Sequence, residues 1–173
     1  AGIAHALGLA KEFADQEDIC AILGDNIYLD DISKTIDVFK SGGHVFLKEV
    51  HDPERFGVGE MKDGKIVSIE EKPASPKSNL ALTGCYVFDN RCFDVISNLN
   101  PSGRGELEIT DVVKWYMEQD ELAATILADE WIDAGTFESL YRATTIIRDR
   151  KHGKISSAKE AALKEKEKVK LRS

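Results

Sequence analysis

Apolar positions along this chain come in two arrangements that alternate: short unbroken runs, and stretches where they recur every three or four residues. Unbroken runs bounded by turn residues read as buried strands, whereas the three-to-four spacing marks one face of a helix. Ile3, Ala6, Leu7, Ala10 and Phe13 share such a face and predict a helix over 2–14, and Ile19-Cys20-Ala21-Ile22-Leu23 then predicts a buried strand. A helix over 33–41 follows, with Ile32, Ile36 and Phe39 on one side and Gly42-Gly43 as its stop. Residues 44–50 read as a strand, and residues 57–61 and 65–69 flank Asp63-Gly64, the signature of a tight hairpin. The run over 80–88 is another strand, with Asp89-Asn90 as its turn.

Downstream, a short helix is expected over 92–98. The loop Pro101-Ser102-Gly103-Arg104-Gly105 delivers a helix over 110–118, with Thr110 as its N-cap. Strands near 122–127 and 130–132 precede a helix over 136–150, capped by Thr136, with Leu140, Thr144 and Ile147 turned inward. Strands alternating with helices predict an α/β domain built on a mixed, mostly parallel sheet, with an antiparallel hairpin region inserted around 51–90. The expected division is a domain over 1–150 and a charged helical tail over 151–173. In that tail Ser157-Ala158-Lys159-Glu160 forms a capping box ahead of a Lys- and Glu-rich stretch. The tail reads as a solvated helix, with a helix for a partner or membrane surface as the alternative. A helix covering a parallel sheet ordinarily follows a strand, and none precedes the first helix, so an upstream segment is expected.

Charge narrows the function classes. A net charge of -8 and a pI near 5.1 argue against a general nucleic-acid or anionic-membrane surface. They leave room for a phosphorylated substrate, because Mg²⁺ and a few local Lys or Arg can hold phosphates. No apolar run approaches the roughly 20 residues that span a bilayer. Cys20, Cys85 and Cys92 show no paired spacing, which predicts free thiols, a reducing compartment and a cytoplasmic address.

Several polar residues at the ends of apolar runs are candidates for chemistry. Asp25 and Asp133 each close a strand and open into a loop, and two carboxylates at neighbouring strand ends can hold one Mg²⁺; alternatively each only caps a turn. Pro73 directs the chain outward after Glu71-Lys72. A carboxylate there can accept from sugar hydroxyls and an ammonium can meet a phosphate, or the two form an exposed ion pair. Arg104, between glycines, either grips a phosphate or is solvated. Gly57 either lets backbone approach a sugar ring or relieves a bend after Asp52-Pro53-Glu54-Arg55. Gly2 opens a helix, a generic polar contact for an anion or base edge. His5, His44, His51 and His152 have no metal spacing.

Taken in order, six segments resemble the sugar-1-phosphate nucleotidylyltransferases: Leu23-Gly24-Asp25-Asn26-Ile27, Asp52-Pro53-Glu54-Arg55-Phe56-Gly57-Val58, Ile69-Glu70-Glu71-Lys72-Pro73, Ser78-Asn79 through Thr83-Gly84-Cys85-Tyr86, Arg104-Gly105-Glu106-Leu107-Glu108-Ile109-Thr110-Asp111 and Trp131-Ile132-Asp133-Ala134-Gly135-Thr136. The nearest group is glucose-1-phosphate thymidylyltransferase, and the resemblance covers residues 1–150. It implies a Rossmann-like fold of the nucleotide-diphospho-sugar transferase type. It further implies Mg²⁺ held by Asp25 and Asp133, a sugar phosphate on Lys72 and Arg104, sugar contacts from Glu71, Asn26, Gly57 and the backbone near Leu82, and a base contact at Gly2. The implied reaction is attack of glucose-1-phosphate on the α-phosphorus of a nucleoside triphosphate, dTTP in the nearest group, releasing pyrophosphate, in a homo-oligomer.

The sequence also departs from that family. Its Gly-rich triphosphate loop and glutamine-bearing base segment have no counterpart here, His5 stands where Gln is frequent, and Phe56 where Tyr is common. The expectation is therefore a C-terminal portion, inactive or nearly so alone and active in the full-length protein. The alternatives are a non-catalytic sugar-phosphate-binding or regulatory module, and a UTP-using enzyme.

Overall fold

The computed structural model describes residues 1–152. Their contacts define two compact units: one of residues 1–23 and 33–126, the other of residues 24–32 and 127–152. The expected tail lies almost wholly outside the described residues.

The first unit is a six-stranded mixed sheet with helices packed on it. Its strands are β1 (Ile19–Ile22), β3 (Gly43–Glu49), β4 (Gly57–Lys62), β5 (Lys65–Glu71), β6 (Leu80–Phe88) and β7 (Leu122–Ile126), in the order β5-β4-β6-β3-β7 with β1 also on β6. β6 is long enough to serve three neighbours. β3 runs along one edge of it, from Gly43 opposite Phe88 to Glu49 opposite Leu80. The other edge is shared, with β4 meeting Ala81 and β1 meeting Cys85 through Phe88. β6 is antiparallel to β1, β3 and β4, and β3 is parallel to β7, so β1, β3, β4 and β7 all run one way. The expected mixed sheet with a common strand direction is thus present. Direct parallel pairing, among the described strands, is that of β3 with β7.

The hairpin forms where Asp63-Gly64 placed it: both residues have positive φ (51° and 81°), the left-handed pair that a two-residue turn between Lys62 and Lys65 demands. The apolar core lies between the sheet and α4 (Cys92–Ser97) and α5 (Ile109–Glu118), and includes Val45, Leu47, Tyr86, Phe88, Phe93, Val112, Val113 and Tyr116. Glu108, not Thr110, is the N-cap residue of α5; Thr110 is buried inside its first turn.

The amino-terminal helix is shorter and less buried than its spacing suggests. It divides into α1 (Ile3–Gly8) and α2 (Lys11–Ala14), and the inward positions are Ala4, Leu7 and Ala14, while Phe13 is 93% exposed. The break at Leu9-Ala10 rotates the second piece, so five residues on one ideal helical wheel do not share a real face. β1 is also half-exposed: Cys20 and Ile22 alternate outward with Ile19 and Ala21, because only one face of the strand is covered. The third helix, α3, covers Ser33–Asp37.

The second unit contains β2 (Asn26–Tyr28) paired antiparallel with β8 (Trp131–Asp133), and α6 (Phe137–Lys151). Thr136 caps α6 as expected, accepting from the Ser139 amide while Ser139 reaches back to the Thr136 backbone. The inward residue of α6 is Ala143; Leu140 and Ile147 are about half and two-fifths exposed, so the expected inward stripe is displaced by part of a turn. Among the described residues no helix is long and apolar enough to cross a membrane.

All three cysteines are free, as expected. Cys20 and Cys85 face each other on adjacent strands with sulfurs 3.9 Å apart. The Cys85 thiol hydrogen bond stabilises a thiolate on exposed Cys20, and this outweighs burial to bring its pKa down to about 7. Burial pushes Cys92 up to about 12, and Cys85 is also raised. Alkylation of the folded protein is therefore expected to go first to Cys20, with a rate that climbs as pH rises through about 7 and the thiolate forms. Mass mapping after iodoacetamide pulses at pH 6 and pH 8 checks this, and equal labelling of all three thiols would contradict it.

Candidate functional site

The polar residues singled out from the sequence form one cluster in each unit. In the first unit, Gly57 opens β4 directly opposite Glu71, which closes β5. Antiparallel pairing brings those two side-chain positions within contact of β6 and α5. A Cβ on Gly57 would meet Thr110 Cγ2 at 2.7 Å, Glu71 Oε2 at 3.4 Å and Leu82 Cβ at 3.7 Å. Gly57, Glu71 and Leu82, proposed together from the sequence, are therefore neighbours. Glycine at 57 is required because the space a side chain would fill is held by Thr110.

Glu71 is oriented from two sides. Thr110 Oγ1 donates to Oε2 at 3.1 Å and Arg104 Nη1 donates to Oε1 at 3.2 Å. Thr110 is a site residue that the sequence reading treated only as a cap. Its one signal in the sequence is its place in the segment Arg104–Asp111, and helix periodicity alone gives it no partner.

Arg104 is partly exposed but not free. Its guanidinium also pairs with Glu106 at 3.1 Å and with nearly buried Glu108 at 3.4 Å. The pair with Glu106 is exposed on both sides and contributes about 0.2–1 kcal/mol. An anion can displace the exposed Glu106 at small cost, while Glu71 and Glu108 keep the guanidinium in place.

Lys72 differs from Arg104. It follows β5, is exposed, and its ammonium has no ion pair among the described residues. Its backbone is left-handed (φ 42°), fixed by a hydrogen bond from the Lys72 amide to the Phe56 carbonyl at 3.0 Å. For a residue with a Cβ this conformation costs on the order of 1–2 kcal/mol. The fold holds this lysine in a conformation that only glycine adopts without strain.

Gly2 also needs its freedom for structural reasons. Its φ is 106°, and a Cβ there would lie 2.5 Å from the Leu107 carbonyl oxygen, because Leu107 donates to the Ala1 carbonyl and holds residues 1–2 against residues 106–107.

In the second unit the short β2–β8 ladder places Asn26 opposite Asp133 and Tyr28 opposite Trp131. Opposed residues share a face, so these four line one side of the ribbon. Asp25 precedes β2, and its carbonyl accepts from the Ala134 amide at 2.7 Å, which fixes it one step along from Asp133. Above Gly135 the two carboxylates meet: a Cβ there would sit 3.1 Å from Asp133 Oδ1 and 3.2 Å from Asp25 Oδ2. Two acceptor-only oxygens converging on a space that glycine leaves open suit a hard divalent cation that completes its shell with water and phosphate. No set of three or more His, Cys, Asp or Glu suited to a metal occurs among the described residues.

Comparison with known proteins gives these clusters a context. The Nucleotidyl transferase family matches residues 1–150. A glucose-1-phosphate thymidylyltransferase of Neisseria meningitidis is 42% identical over 154 residues, covering 85% of this chain and 54% of that protein. One from Xanthomonas campestris is 40% identical over 153 residues, covering 84% and 52%. A solved structure from Bacillus anthracis, named as a glucose-1-phosphate thymidylyltransferase and determined with sucrose, is 47% identical at a TM-score of 0.80, covering 86% of this chain and 62% of that one. A UDP-glucose pyrophosphorylase structure at 24% identity and TM-score 0.74 shares the fold. The chain spans about half the length of the curated relatives it matches. With the match running through every segment that carries the two clusters, the chain belongs to the nucleotidyl transferase family.

Proposed function

We propose that this chain supplies the sugar-phosphate and metal groups of a Mg²⁺-dependent nucleotidyltransferase. The protein carrying it transfers a nucleotidyl group from a nucleoside triphosphate to glucose-1-phosphate and releases pyrophosphate. The observation that carries this reading is the convergence of Asp25 and Asp133 oxygens above Gly135 in a chain of this family. The names of the relatives support dTTP as the nucleotide. The three free thiols support a cytoplasmic site of action.

No covalent intermediate is needed. The difficulty is bringing two anions together in line, so catalysis is positioning and charge neutralisation. Lys72 binds the sugar phosphate as a point charge, and Arg104 exchanges its exposed partner Glu106 for the same phosphate. Glu71, oriented by Thr110, accepts from sugar hydroxyls, with the backbone of Gly57 beside it. Asp25 and Asp133 hold the cation, which when bound neutralises charge on the phosphates.

Lys72 provides the test. Losing one charge-assisted contact of about 1.5–3 kcal/mol should weaken glucose-1-phosphate binding by about 10–150-fold in Lys72→Ala and Lys72→Gly alike. Only Lys72→Gly also relieves the left-handed strain, and after the entropy glycine gains in the unfolded chain it should be as stable as the parent or up to about 1 kcal/mol more so. Calorimetric titration and thermal melts read both effects. Parental affinity in Lys72→Ala would overturn the assignment.

A further inference from the structure

We propose that Trp131 is a positioning residue for the proposed metal ligand Asp25 and acts on it through the side-chain amide of Asn26. This rests on the Mg²⁺ reading of the Asp25–Asp133 pair. Trp131 Nε1 donates to Asn26 Oδ1 at 2.7 Å, and Asn26 Nδ2 donates to Asp25 Oδ1 at 2.9 Å. The Tyr28 hydroxyl lies 3.4 Å from the same Asn26 Oδ1.

The chemistry of the two ends fixes the middle. An indole N–H can only donate and an ionised carboxylate can only accept, so the amide between them has one orientation that satisfies both. Turned over, it would set its NH₂ against the indole N–H and its carbonyl against the carboxylate, losing two hydrogen bonds and gaining two repulsions. Trp131 is 8% exposed and sits in the β2–β8 ribbon opposite Tyr28, so its ring has no room to swing away. The relay therefore holds Asp25 by Oδ1. It leaves Oδ2 directed at the space above Gly135, where Asp133 Oδ1 also points.

Two consequences follow for Asn26. With Oδ1 engaged by Trp131 and Nδ2 by Asp25, it serves the metal side as well as any sugar hydroxyl it meets. Donation from the indole also polarises the amide and strengthens its hold on the carboxylate. Outer partners that orient a metal ligand typically change metal affinity by about 10–100-fold when removed.

The test uses the full chain with Mn²⁺ as a paramagnetic substitute for Mg²⁺, counted by EPR titration, and a proton–nitrogen NMR titration with Mg²⁺. Trp131→Phe keeps the ring and removes the donor; it is expected to weaken Mn²⁺ binding by 10-fold or more. Trp115→Phe, in the other unit, should leave binding unchanged. The two tryptophans give two indole N–H signals, and Mg²⁺ is expected to shift that of Trp131 and not that of Trp115. This second readout needs no variant and survives if Trp131→Phe folds poorly. Asp133→Asn separates the layers. If it binds Mn²⁺ as the parent does, the metal reading fails and this proposal with it. If it loses Mn²⁺ while Trp131→Phe keeps parental affinity or the Trp131 signal stays still, the metal site stands and the positioning role is overturned.

Discussion

In a protein carrying this chain, Asp133→Asn and Asp25→Asn are each expected to lower nucleotidyl transfer by on the order of 10²–10³-fold, with little change in folding stability. The substitution is nearly isosteric, and the groups it alters sit at a strand end beside an open glycine, so packing is left alone. What is lost is one negative charge of the two that would hold the cation. Removing a single preorganised charge-stabilising group costs about 2.7–4 kcal/mol of transition-state energy, and that sets the magnitude. Because the defect lies in metal affinity, raising Mg²⁺ should recover part of the rate, with a larger concentration needed for half-activation. A pyrophosphate-release assay across a Mg²⁺ series reads both numbers. Parental rates in both variants at low Mg²⁺ would rule out the metal pair.

Asp89→Ala is expected to cost about 3 kcal/mol of stability, or about 6–12 °C in melting temperature for a chain of this size, and to leave the chemistry of the site alone. Asp89 is a nearly buried carboxylate at the end of β6. It accepts from the Gly42 amide at 2.7 Å, the Tyr116 hydroxyl at 2.8 Å, and Arg91 Nε and Nη2 at 3.1 and 2.7 Å. Arg91 also pairs with Glu121 and lies over the Trp115 and Tyr116 rings, 5.6 and 5.7 Å from their centroids. The carboxylate thus ties the start of β3, the end of β6 and α5 together. Removing it strands the buried Gly42 amide and leaves the Tyr116 hydroxyl only the Asp89 carbonyl at 3.2 Å, while Arg91, partly exposed, can turn to water, which keeps the cost at the low end for a broken buried pair.

The pH dependence of that contribution has a definite sign. Burial alone would raise the Asp89 pKa, but the hydrogen bonds from Arg91, Gly42 and Tyr116 and the Arg91 charge outweigh it and hold the group below its ordinary value near 3.8. A carboxylate with a depressed folded-state pKa stabilises fully above its unfolded value and loses that contribution as pH falls through the folded one. The gap between parent and Asp89→Asn melting temperatures should therefore be constant at neutral pH and narrow below about 3.8. A gap that widened in acid would contradict the assignment.

These three aspartates show how unevenly the sequence reveals roles. Asp25, Asp133 and Asp89 all end apolar strands and precede turn residues, and nothing local separates them. Local pattern places a carboxylate at a strand end; it does not say what that end faces. Asp89 meets an arginine, a tyrosine and an amide, and is satisfied. Asp25 and Asp133 meet each other across an open glycine.

The sequence by itself determined the elements whose signals are short-range. The Asp63-Gly64 hairpin, the strand over 80–88 and the Thr136 cap depend on backbone conformations that two to four adjacent residues control, and they are found where expected. Two facts could be read off only from tertiary structure. Which face of an amphipathic segment is buried depends on what packs against it: Phe13 of the first helical segment and Leu140 of the last lie outward although their spacing is right, because a kink or a part-turn offset sets the buried face. Which polar side chains meet also depends on strand pairing. Thr110 with Glu71, Arg104 with Glu71, and Trp131 with Asn26 are separated in sequence and joined by strand and helix geometry alone. Side-chain encounters across a fold are fixed by register and packing, and those are properties of the folded chain that no local window contains.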